Sequence, residues 1–440
     1  HSGSVGFLAI GMMEQDDTTD FTGSTSKGHI LQDAQLEVGL TATELIPTSG
    51  AAGTAGIKED EPRFDYPLAG GPPSLLLEPQ RQNLILNSEY IGGSTWTDQS
   101  SGVTAVNNDA VSPEGVKNAT KLVIADGDSA GAEWRLASAL SVTDEKLYTF
   151  SVFAKAAEFD GIQLDVSDDR FGNANVTATL TGDGSITAGD GTTASSIEDY
   201  GNGWYRIIMV ATCSSTGNSA VIFRLHAGGI NGTGDGSKGI HVYGAQFEEG
   251  PYATSYIPTH GASATRSGEG EAVDTFKAQL PTALNGASAY TLFIDLTVTD
   301  LEEETNYIDV LVFKDSSAAS DKYAFKLETY TSGGTSSLRG FAYKTSDPNA
   351  VASNAHDTIP IGSRCKLAVV FNSASGVKYF YNGSGTPIMN YSEATTYESV
   401  DVIAGAEGTI TGQRSRTRIQ AIHGYPSALS DAQCISLTTL

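Results

Sequence analysis

The chain has 440 residues, enough for roughly two to four domains, and carries 26 basic against 52 acidic residues, a formal net charge of −26. So acidic a surface repels phosphate backbones and anionic lipid, which argues against nucleic-acid binding and membrane insertion. No apolar run approaches the ~20 residues of a membrane helix, and no secretory signal is visible. Short apolar runs alternate with Gly, Ser, Thr, Asn and Asp clusters, and 49 residues are glycine. That pattern predicts an all-β chain of sandwiches or jelly rolls.

The chain begins at His1 rather than Met, as a processed or tagged fragment would, or the ordered part of something longer. Residues 34–50 read AQLEVGLTATELIPTSG, and residues 245–261 read AQFEEGPYATSYIPTHG. The offset is 211 throughout, and ten of 17 positions are identical, among them Gln35/Gln246, Glu37/Glu248, Gly39/Gly250 and Ile46/Ile257. A period this long signals duplication of a whole domain rather than a solenoid. The second copy closes a long β-rich segment. Residues 1–50 are therefore read as the terminal strands of a preceding or truncated β-domain.

Residues 51–88 form an irregular Pro/Gly-rich connector, because five prolines forbid regular sheet over most of it. Leu75-Leu76-Leu77 and Leu84-Ile85-Leu86 are too apolar for a solvated linker, so the connector is expected to pack against a domain or a neighbouring subunit. Residues 89–265 read as one sandwich, with strands at Tyr148–Ala154, Gly161–Val166, Trp204–Val210 and Ala220–His226. Residues 266–440 read as another. Its candidate strands are Tyr290–Val298, Tyr307–Phe313, Lys322–Leu327, Cys365–Phe371, Val377–Tyr381 and Ile419–Tyr425. Asn382-Gly383 is a hairpin turn, and Ser430 is an N-cap for a short helix within Ser427–Leu437.

The chemistry-bearing residues are sparse. Cys213, Cys365 and Cys434 are odd in number, far apart and set in apolar runs, so they read as buried small hydrophobes. The seven histidines show no metal spacing. No nucleophile elbow, zinc-helix motif, phosphate loop or dinucleotide fingerprint is present. Asp300-Leu301-Glu302-Glu303-Glu304 reads as a solvated loop, although a carboxylate pair assembled from distant strands stays open. Asp126, Asp128 and Asp235 lie in oxygen-rich loops that are weak candidates for structural calcium and otherwise simple turns. A sugar site combines an aromatic platform with amide, carboxylate and guanidinium groups. Strand parity puts Gln163 and Asp165 on one non-core face and Arg224 and His226 on another. If these strands are neighbours they form a polar, ligand-capable surface, although an ordinary solvated face or a subunit contact has the same pattern. Trp96 and Trp134 are the stacking candidates, and Trp204 reads as core.

The run PRFDYPLAGGPPSLLLEPQRQNLILNSEY (62–90) resembles a motif of bacteriophage tail-fibre and head-fibre proteins. The ending GAQFEEGPYATSYIPTHGASATR and the Trp204-Tyr205-Arg206 strand start are similar to the carbohydrate-binding-module-like jelly roll that follows it in those proteins. KLAVVFNSASGVKYFYNGS and IQAIHGYPSALSDAQCISLTTL are similar to concanavalin A-like, laminin-G-type sandwiches. The resemblance implies a virion-surface (extracellular) fibre or appendage protein, often trimeric, that contacts other virion proteins and host cell-surface glycan. It implies no single activity. The expectation is a non-catalytic adhesin with no cofactor beyond structural calcium. The alternatives are a polysaccharide depolymerase and a purely structural decoration protein.

Overall fold

The computed structural model describes residues 34–35, 63–66, 71–98, 102–127, 133–136, 139–166, 168–226, 233–268, 277–279, 284, 287–301, 308–315, 322–332, 335–344, 347–372, 375–384, 389–391, 400–404 and 415–440. Of the first repeat copy, only Ala34 and Gln35 are among them. The fold is all-β, in antiparallel sheets, as the alternation predicts.

The first sandwich pairs two six-stranded sheets. One runs Thr192–Gly201, Trp204–Thr212, Leu147–Ala156, Gly239–Glu249, Ala119–Ile124, Val103–Ala110; the other includes Gly161–Val166, Val221–His226, Glu133–Leu136 and Trp96–Asp98. Phe150, Val152, Ile162, Leu164, Ile207 and Phe223 fill the space between them. The second sandwich packs a seven-stranded sheet centred on Ala289–Leu301 against a six-stranded one centred on Ile308–Asp315 and Lys322–Ser332. Leu292, Ile294, Phe313, Phe325 and Val369 make its core. Ser430 caps the terminal helix Asp431–Thr438 through a capping box with Gln433. Asn382 and Gly383 take the positive φ values that a tight hairpin demands. All three cysteines are free and buried, and burial pushes the Cys434 thiol up to about 11.

The connector does more than join. Arg63–Asp65 is an edge strand of the seven-stranded sheet and Ser74–Leu77 lies next inside it, with Leu75 paired to Ile419 and Leu77 to Thr417. Prolines at 72, 73 and 79 limit these strands to a few residues, which an edge tolerates. Leu77 enters the second core and Ile85 the first. Leu76, Leu77 and Ile85 are thus buried within the chain itself, and Leu75, Leu84 and Leu86 half-buried. The first sandwich is inserted between two strands of the second one's sheet.

Strand Leu147–Ala156 shows why simple alternation understates burial. Tyr148, Phe150 and Val152 face the core, yet Thr149, Ser151 and Phe153 on the other side are buried too. The second repeat copy covers that outer face. Gln246 accepts from the Ile257 N–H at 2.7 Å and donates to Glu248 at 2.8 Å. Glu248 accepts from the Thr254 N–H at 2.9 Å and its hydroxyl at 2.7 Å. Thr259 donates to the Ile85 carbonyl at 2.7 Å. Gly250 has φ +149, and a Cβ there would sit 2.6 Å from the Arg81 guanidinium. Five of the residues shared by the two copies therefore make the closing bonds. Asn83, fully buried, completes them: it donates to the Ala245 and Ile257 carbonyls and accepts from the Ile85 and Phe247 N–H groups. Replacing it leaves buried backbone groups without partners. Asn83→Ala is expected to lower unfolding free energy by about 3 kcal/mol, seen as a lower urea midpoint with an unchanged slope.

Candidate functional site

The residues singled out on the first sandwich do come together. Gln163 lies directly across from Arg224, and Asp165 two pairs along, opposite Ile222. Arg224 donates to Glu133 at 2.7 and 2.9 Å and to Gln163 at 3.2 Å, and also pairs with Asp165. Gln163 in turn donates to Asn175 and Thr177. Glu133 was missed because its role depends on pairing between strands far apart in sequence. This ladder satisfies itself: its one guanidinium is committed to two carboxylates, and Asp165 is buried. His226 pairs with Gly161 through its backbone; its side chain lies outside the described residues.

The stacking role expected of Trp96 and Trp134 is corrected by burial. They are 3% and 7% exposed and belong to the core. Trp96 stacks on Phe223 at 5.2 Å, and the indole N–H groups donate to the Asn87 and Ile91 carbonyls. Trp204 is buried as expected, in a small outer-face cluster with Phe153 and Tyr243.

Of the calcium candidates, Asp128 lies outside the described residues, as do Glu302 to Glu304. Asp235 accepts from the Ser237 N–H and hydroxyl and the Lys238 N–H, all within 2.9 Å, and faces the Lys238 ammonium at 3.2 Å. The Ser237 hydroxyl, foremost among these, holds its carboxyl well below the usual range. Asp126 sits in the adjoining turn, where the Gly127 N–H donates to the Gly234 carbonyl. Among the described residues no three His, Cys, Asp or Glu side chains converge as a metal site. Asp235 thus makes the hydrogen bonds of a turn.

A second polar centre lies where the connector meets both sandwiches. Glu78 is fully buried. It accepts from the Ser255 N–H at 3.0 Å and faces Arg266 at 3.3 Å and Arg416 at 3.4 Å. Burial alone would raise its pKa; Arg266, Arg416 and Arg63 outweigh that and hold it below the ordinary glutamate value. Arg266 also donates to the Pro79 carbonyl at 2.9 Å. One carboxylate thus ties strand Ser415–Tyr425 of the second sandwich to the closing loop of the first.

Beside this knot opens a cleft of about 430 Å³ lined by Asp65, Tyr66, Ser74, Glu198, Tyr200, Arg416, Arg418 and Gln420. Tyr66 is 69% exposed and Tyr200 37%. Tyr200 is held edge-on by Phe153 at 4.9 Å. Arg418 pairs with Asp65, and Arg416 also faces Asp300 at 4.0 Å. A further cleft of about 380 Å³ shares Glu198, Arg416 and Arg418 and continues along Ala194–Ser196 to Tyr252. Together they make a groove with an aromatic entrance and amide, carboxylate and guanidinium walls. A larger polar cleft, about 650 Å³, lies between Gln80–Gln82 and Thr143–Tyr148, but its tyrosine, Tyr148, is buried. The residues of the first cleft come from three separated segments, and Tyr66 in its Pro-rich run is the one signal the sequence held.

A third cluster surrounds Glu89. It accepts from the Tyr243 hydroxyl at 3.1 Å, with His260 at 4.0 Å. Desolvation, then the Glu114 charge, push its pKa up to about 7.

No protein-family model matches the chain, and no curated protein matches it. Among solved structures it is similar to a sialidase from Trypanosoma rangeli (11% identity, 73% of this chain and 60% of that one, TM-score 0.30). It is also similar to the N-terminal CBM22 tandem of Paenibacillus barcinonensis Xyn10C (12%, 79% and 98%, TM-score 0.23). Domains LG4-5 of the mouse laminin alpha1 chain are a third (10%, 67% and 89%, TM-score 0.18). Likenesses this slight carry no functional argument, whereas the β-sandwich architecture is visible directly in the chain's own sheets.

Glu78→Gln strands buried guanidinium groups and is expected to cost about 3–5 kcal/mol, measured by chemical denaturation at neutral pH. The wild type loses the same contribution as pH falls through the lowered Glu78 pKa. Glu89 works in the opposite sense. Its contribution is full below the ordinary glutamate range and is lost as pH rises through about 7. Glu89→Gln is expected to flatten the decline in melting temperature between about pH 5 and about pH 8.

Proposed function

We propose that the chain is a non-catalytic, glycan-binding component of a virion-surface fibre, and that the groove at the seam of the two sandwiches is where it binds. The observation that carries this reading is the pairing of exposed Tyr66 and Tyr200 with Arg418, Gln420 and Glu198 in one cleft. Aromatic faces stack on the apolar faces of sugar rings, and the flanking polar groups fix hydroxyl orientation. Tyr200 is pre-positioned by Phe153, so little ordering cost falls on binding.

The virion setting draws on the fibre-like sequence motifs. In this reading the chain assembles as a homo-oligomer with other virion proteins and meets host cell-surface glycan outside the cell. The seam knot supplies the rigidity a fibre needs.

A depolymerase is the second reading, and Glu89 is the observation that favours it. A carboxyl held protonated near neutral pH beside tyrosine hydroxyls has the character of a general acid. The groove lies elsewhere, and its carboxylates stand beside the guanidinium groups of Arg416 and Arg418, which favours binding without cleavage.

Purified protein applied to host-surface polysaccharide should retain the polymer without shortening it. Tyr66→Ala and Tyr200→Ala should each weaken retention about tenfold, in line with loss of one aromatic contact of ~1.4 kcal/mol. Shortened product would contradict the binding reading and turn attention to Glu89.

A further inference from the structure

We propose that the seam groove selects an uncharged polysaccharide and rejects acidic ones; this rests on the groove being the glycan site. The two guanidinium groups in the cleft look at first like a trap for carboxylated or sulfated sugars. Both already face carboxylates. Arg418 is paired with Asp65, and Arg416 lies between Glu78 at 3.4 Å and Asp300 at 4.0 Å. Glu198 lines both halves of the groove. Three carboxylates, Asp65, Glu198 and Asp300, line the two clefts against Arg416 and Arg418, with Glu78 balanced from behind by Arg266, and the molecule as a whole carries −26. An anionic sugar entering here meets net negative potential and would have to displace an internal ion pair to reach a guanidinium.

The free hydrogen-bonding capacity also points to a neutral ligand. The side-chain oxygen of Gln420 is buried in the cleft with no partner among the described residues. Glu198 adds carboxylate oxygens. These are acceptors, and they match the hydroxyl donors of a sugar ring, whereas the carboxylate of an acidic sugar would bring only further acceptors. A donor that reaches Gln420 relieves an unsatisfied buried acceptor, so it contributes more than an exposed hydrogen bond would. The two clefts share Glu198, Arg416 and Arg418 and so run on into each other. That extent fits a linear segment of several sugars better than a single terminal residue.

The test is affinity electrophoresis of the full chain at low salt through gels carrying either a neutral glucan or a uronic-acid polymer of similar length. The neutral polymer should retard the protein, and the acidic one should bind at least tenfold more weakly. Glu198→Gln keeps an acceptor oxygen while removing a charge. It should narrow that ratio severalfold by improving acidic-polymer binding, with the melting temperature checked to confirm folding. Equal or tighter binding of the acidic polymer, lost in Tyr200→Ala, would overturn the selectivity and leave the glycan site standing. Retardation by neither polymer, or retardation unaffected by Tyr200→Ala, would overturn both.

Discussion

The carboxylate of Glu78 is the interaction on which the seam depends. It is fully buried, and a buried charge is tolerable only when paired and hydrogen-bonded. Its partners come from different parts of the fold: Ser255 and Arg266 around the first sandwich, Arg416 from the second. Losing any of them takes a partner away from a buried charge. This fixes the connector against both sandwiches and holds Arg416 where it forms one wall of the groove. The site is therefore rigid for an electrostatic reason, and its guanidinium groups are positioned rather than available.

The first sandwich has its own version of the same logic. Buried Gln246, Glu248, Thr254 and Asn83 form a polar layer on the outside of a sheet, each satisfying backbone groups that the closing loop would otherwise strand. Such a network specifies one loop path, because partial satisfaction is worse than none. The repeated residues are the ones that build it.

Much of this was legible in the sequence. Apolar alternation located strands such as Gly161–Val166 and Cys365–Phe371, and Ser430 as an N-cap announced the short helix. The repeat pointed to the closing loop. Other features were hidden for physical reasons. Leu75–Leu77 sit between prolines, so local rules forbid a long strand; that they join a strand more than 300 residues away is a non-local fact. Trp96 and Trp134 lie among polar residues in sequence, and only cross-strand neighbours such as Phe223 reveal their burial. Parity correctly put Gln163, Asp165 and Arg224 together, but their mutual neutralisation through Glu133 depends on register. The groove was invisible because Tyr66, Tyr200 and Gln420 meet only after one sandwich has been inserted into the other.

The most direct measurement is hydrogen–deuterium exchange of the full chain with and without a polysaccharide that it retains. Binding at the seam predicts slowed exchange in residues 63–66, 192–201 and 415–420, with 161–166 and 221–226 unchanged. Protection confined to 161–166 and 221–226, with the seam unaffected, would contradict the account and return the site to the Gln163–Arg224 face.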